Sequence, residues 1–87
     1  MGNTLIMSST GNTNQDLQLK RLAYIGDFLR QIRLANGMTQ NEVCDDNDIP
    51  RSTLQKAEYG NNLTLATLFQ LIDAYELSPE DFFIDME

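Results

Sequence analysis

Six side chains carry positive charge, and all lie between positions 20 and 56: Lys20, Arg21, Arg30, Arg33, Arg51 and Lys56. Cations of this kind neutralise phosphates. Ser52 and Lys56 stand four residues apart, a spacing that sets two side chains on one helix face. The rest of the reactive inventory is thin. There is no His, so the usual general base, proton shuttle and commonest metal ligand is missing. The single cysteine, Cys44, allows neither an intramolecular disulfide nor a cysteine-rich zinc site. No nucleophile–base pair, metal cluster or glycine-rich phosphate loop stands in the sequence. An enzyme is not expected, and no cofactor is implied.

The 87 residues are one domain in size. A chain this short buries only about 60–65% of its surface and has little room for a pocket of several hundred cubic ångströms. Binding by an exposed face suits it better. Thirteen acids against six bases give a net charge of −7, which argues against generic nucleic-acid affinity. The distribution qualifies the sum: from Leu63 to Glu87 there are six acids and no base. No apolar run approaches the roughly 20 residues of a membrane span. The first seven residues lack the basic start of a secretory signal and the Ser/Thr of a myristoylation site. A cytoplasmic protein with no membrane association is expected.

These charged residues must be held by helices. Residues 1–15 are rich in Ser, Thr, Asn and Gly and read as a flexible arm, with Leu5-Ile6-Met7 its one hydrophobic handle. The domain proper is expected over 16–87. Leu22, Ile25, Phe28, Leu29 and Ile32 recur at helical steps, giving a first helix over about 16–35 that Gly37 ends. Thr39 and Glu42 form a capping-box pattern opening a short second helix, which the turn-forming run Asp45-Asp46-Asn47-Asp48 closes. Pro50 fits the first turn of a third helix over about 51–59, stopped by Gly60. Thr64 caps a fourth, whose stripe is Leu65, Leu68, Phe69, Leu71, Ile72 and Tyr75. Ser78-Pro79 starts a fifth, with Phe82, Phe83 and Ile84 as its packing turn. No strand alternation occurs. Within this all-α chain, Met38 to Gly60 has helix-turn-helix spacing, with Ile49 plugging the corner.

Residues 25–83 resemble the Cro/repressor-type, or XRE-like, helix-turn-helix family. The matching pieces are Ile25-Gly26-x-x-Leu29-Arg30-x-x-Arg33, Gly37-Met38-Thr39-Gln40-x-Glu42-Val43, Arg51-Ser52-Thr53-Leu54-x-Lys56-x-Glu58-x-Gly60, and Leu68-x-x-Leu71-x-x-Ala74-Tyr75-x-Leu77-Ser78-x-x-x-Phe82. The resemblance implies a five-helix, lambda-repressor-like DNA-binding domain with its helix-turn-helix at about 39–59 and its third helix in the major groove of double-stranded DNA. It implies that Arg51 and Ser52 read base edges and that Lys56 faces bases or phosphate. It places Thr53 and Gln55 near the phosphate walls and gives Gln40 a phosphate bond at the second helix's first turn. Asn61, with Asn62 beside it, either donates to the DNA backbone or serves as an ordinary turn residue. Arg33 and Glu58 are implied to form a structural ion pair, and Cys44 to be a core residue. The chain departs from the family at Asp48, where Gly is usual, and at Pro50, where Ser or Thr is usual. The acidic turn also lies within a Debye length of bound DNA, about 8–10 Å, which weakens nonspecific binding. The function implied is a sequence-specific transcriptional regulator, dimeric on a palindromic site. The alternative is a protein-interaction module or antitoxin with weak DNA binding, engaging its partner through the acidic C-terminal half.

Overall fold

The structure, a computed structural model, describes residues 11–86. Five helices follow one another: α1 (Gly11–Ala35), α2 (Gln40–Asn47), α3 (Arg51–Glu58), α4 (Leu65–Ala74) and α5 (Pro79–Asp85). There is no strand among the described residues, so the all-α, five-helix architecture is the one adopted. Helix α1 begins at Gly11 rather than near 16, a correction to the expected arm. The physical reason is cooperativity: once a helix exists, each added residue gains a hydrogen bond for the dihedrals it fixes, whether or not it is apolar. Residues 1–10, Leu5-Ile6-Met7 among them, lie outside the described residues.

Helix starts follow local chemistry. The Thr39 hydroxyl accepts from the Glu42 amide at 3.1 Å, and the Glu42 carboxylate accepts from the Thr39 amide at 2.8 Å, which completes the capping box. The Thr64 hydroxyl accepts from the Thr67 amide at 3.1 Å, and the Ser78 hydroxyl from the Asp81 amide at the same distance. Pro50 offers no side-chain cap to α3.

The ends of the first four helices share one device. After α1, Met38 N–H donates to Arg33 C=O at 3.1 Å and Gly37 N–H to Leu34 C=O at 3.0 Å, the paired bonds of a Schellman motif. The same pairing follows α3, through Asn61 to Lys56 and Gly60 to Ala57, and α4, through Leu77 to Ile72 and Glu76 to Asp73. After α2, Ile49 and Asp48 both donate to Cys44 C=O. Each motif needs one left-handed residue, and the four are Gly37, Asp48, Gly60 and Glu76. Asp48, at φ 55 and ψ 40, fills the position the family gives to Gly.

The core gathers Leu29, Val43, Ile49, Leu54, Leu68, Leu71, Ile72 and Phe82, with Cys44, Ala57 and Tyr75. Ile49 is 3% exposed and occupies the corner of the helix-turn-helix. Phe28 meets Phe82 edge-on, with ring centroids 5.2 Å apart. Burying a side chain of the Leu or Phe class contributes about 1.5–3 kcal/mol. Two apolar expectations are corrected. Leu65 and Phe69 are exposed on α4, because the helix face they share points away from the core that Leu68, Leu71 and Ile72 fill. On α5 only Phe82 is buried, and Phe83 and Ile84 are exposed. Helix α1 approaches the end of α3 at Gly26, where an added Cβ would clash with the Ala57 carbonyl oxygen and lie 2.8 Å from that of Glu58. This close approach brings Arg30 and Arg33 of α1 beside α3. Among the described residues, no helix is long and apolar enough to cross a membrane.

Candidate nucleic-acid interface

Helix α3 has one face inward and one outward. Leu54 and Ala57 are buried, while Arg51, Ser52, Gln55 and Lys56 are exposed. Thr53 is half-buried and has less surface to offer. The side chains of Arg51, Ser52 and Lys56 form no hydrogen bond or ion pair with the described residues. The remaining hydrogen-bonding capacity of this face is directed outward.

What fixes the angle of α3 is an ion pair at its end. Arg33 on α1 donates through Nε to Glu58 Oε2 at 2.7 Å and through an Nη nitrogen to Oε1 at 3.0 Å. Its other Nη donates to the Met38 carbonyl at 2.9 Å. The two side chains are only 10% and 4% exposed. A forked pair of this type fixes orientation as well as distance. The bond to Glu58 holds the Arg33 guanidinium charged, its pKa raised against the opposing effect of burial. Gln40 joins the lock: its side-chain amide donates to Glu58 Oε1 at 3.1 Å. Gln40, expected to bond a phosphate, has one amide proton engaged in this internal bond.

Two clefts run beside α3. One, of about 490 Å³, is lined by Arg30, Arg33, Gln40, Gln55, Lys56, Glu58, Tyr59 and Asn61. The other, also of about 490 Å³, joins Arg51 to Thr39, Gln40 and Asn41 at the start of α2. The structure therefore brings Gln40, Arg51, Gln55, Lys56 and Asn61 to one side of the molecule. Sequence reasoning did not single out Arg30 and Tyr59 as lining residues. The available signal was the step from Arg30 to Arg33, which sets a second α1 cation one turn from the Glu58 partner. On the other flank, Asp45, Asp46 and Asp48 are exposed at the turn, so charge along this side is uneven.

Two titratable groups lie behind the interface. Burial, with Asp45 nearby, pushes the Cys44 thiol up, which disfavours the reactive thiolate. Burial pushes the Tyr75 hydroxyl up to about 12, with Glu58 adding to the effect. Neither group faces the clefts beside α3.

Comparisons with known proteins bear on this geometry. The family profile described as helix-turn-helix matches residues 29–82. A comparison with curated proteins gives no significant match. Among solved structures, the chain is similar to a point mutant of the restriction-modification controller protein C.Esp1396I. Identity is 27% and the TM-score 0.68, over 75% of this chain and 84% of that one. The matched segment holds the capped α2, the Asp48 turn, the exposed face of α3 and the Arg33–Glu58 lock; the chain belongs to the XRE-type helix-turn-helix family of DNA-binding transcriptional regulators.

Proposed function

We propose that this regulator binds a specific duplex sequence by laying α3 in the major groove, with Arg51, Ser52 and Lys56 toward the base edges and Thr53, Gln55, Gln40 and Asn61 toward the phosphates. The observation that carries the reading is the exposed, internally unpartnered face of α3 on a helix fixed by the Arg33–Glu58 pair. Arg51 presents a planar fork that matches guanine O6 and N7, a contact worth about 1–3 kcal/mol of discrimination. Stability alone does not favour a cation in the first turn of a helix, where the dipole opposes it.

The test is a binding selection from a random duplex pool, followed by titration of the selected duplex with the parent and with Arg51→Ala. The variant loses about 1–3 kcal/mol on that duplex and relaxes its preference at one base pair. Unchanged preference and affinity would remove Arg51 from the readout.

One module reads a short site, and family geometry pairs modules about a two-fold axis. The exposed Leu65, Phe69, Phe83 and Ile84 supply apolar surface of the kind found at subunit interfaces. We take the active species to be a homodimer on two related half-sites; a single protomer per operator in sedimentation experiments would exclude this. The likeness to a restriction-modification controller supports a controller-type role. Genomic binding sites that avoid restriction and modification genes would count against that role.

A further inference from the structure

We infer that the cleft between α1 and the C-terminal half of α3 is a phosphate seat, in which Arg30 supplies the charge and Tyr59 a hydroxyl donor. The inference rests on the DNA-binding reading and goes beyond it, because neither residue lies on the base-facing side of α3. Arg30, Lys56, Tyr59 and Asn61 line one cleft of about 490 Å³. The acid in that cleft, Glu58, is already neutralised by the forked bonds from Arg33. The remaining charges along its wall are Arg30 and Lys56, both exposed. Among the described residues Arg30 meets an acid only at Asp27, at 3.8 Å, a loose pair with side chains 51% and 64% exposed. Such a pair is easily exchanged for a phosphate.

Tyr59 is 89% exposed, the largest exposure among the big apolar and aromatic side chains described. Packing does not account for an aromatic residue so placed. Tyr59 is the residue that ends α3, two positions before Asn61, and both line the cleft. With α3 in the major groove, a sugar-phosphate ridge passes on either side of it. The acidic run Asp45, Asp46 and Asp48, exposed just before α3, repels any phosphate that comes near it. The cleft offers the Arg30 guanidinium and neutral donors. The cleft therefore anchors the backbone and sets the register in which Arg51 reaches a base.

The experiment measures equilibrium affinity of the full chain across a salt series, on a duplex selected from a random pool and on a random-sequence duplex. Arg30→Gln is expected to weaken both complexes about ten-fold and to reduce the slope of log affinity against log salt by about one, leaving base preference unchanged. Tyr59→Phe is expected to weaken both with no change of slope, because a hydroxyl releases no counterion. Thermal melting of both variants should match the parent, since both side chains are exposed. Arg30→Gln with parental slope and affinity overturns the inference alone. A loss confined to the selected duplex also overturns it, since that would be base readout. A parent chain that binds neither duplex removes the DNA-binding reading and the phosphate seat together.

Discussion

Arg33 and Glu58 tie the end of α3 to α1 from inside the molecule. Both are nearly buried, and each is the other's charge partner. Taking two ions from water is costly, and geometry this good offsets much of that cost. Removing one partner strands the other in a poorly solvated site. Glu58→Ala is therefore expected to destabilise the fold by about 3–5 kcal/mol in urea titration, as is typical when half of a buried pair is removed. Parental stability would show that the pair is not structurally important. Tyr75 gives a pH test. Its hydroxyl is buried without a hydrogen-bond partner among the described residues, and burial raises its pKa to about 12. The unfolded chain releases this proton near pH 10, before the folded chain does. Its contribution to stability is thus complete below pH 10 and lost as pH rises toward 12. Tyr75→Phe should show a shallower fall in melting temperature between pH 10 and 12 and no loss at neutral pH. A fall as steep as the parent's would mean that Tyr75 does not contribute to it.

At the scale of elements, the turn between α2 and α3 decides how the outward face is presented. Asp48 holds a left-handed conformation there, which Asp tolerates better than most residues but less well than Gly. Asp48→Gly should raise stability by about 0.5–1 kcal/mol and also remove a negative charge from the flank of the interface. A lower melting temperature would show that the side chain makes a compensating contribution. The helices and their starts were legible in the sequence because their signals are local: Thr39 with Glu42, Thr64, Ser78-Pro79, and the three- and four-residue apolar steps. Gly37 and Gly60 marked helix ends for the same reason. Glu76 carried no such mark, since Glu has no preference for the left-handed region it occupies. Nor did periodicity show how far α4 turns Leu65 and Phe69 from the core, because a broad stripe on ten residues is compatible with more than one facing.

Over the whole molecule, the candidate site was legible where one element carries it and obscure where two meet. Arg51, Ser52 and Lys56 share α3, so spacing alone relates them. The bond from Gln40 to Glu58, and the cleft where Arg30 faces the end of α3, depend on how closely α1 approaches α3 at Gly26. No local pattern encodes that approach. The charge arrangement also belongs to this scale. Acids crowd α5 and the turn, and α4 holds one acid and no base, while the cations gather on α1 and α3. A net charge of −7 should thus disfavour nonspecific association and confine binding to one face.

Dimethyl sulfate protection on a selected duplex tests the central claim most directly, because the reagent reports guanine N7 in the major groove and adenine N3 in the minor groove. With α3 seated as described, guanine N7 atoms become protected in two patches about one helical turn apart, while the minor-groove adenines within them stay reactive. Full reactivity of guanine N7 on a saturated duplex would contradict the account.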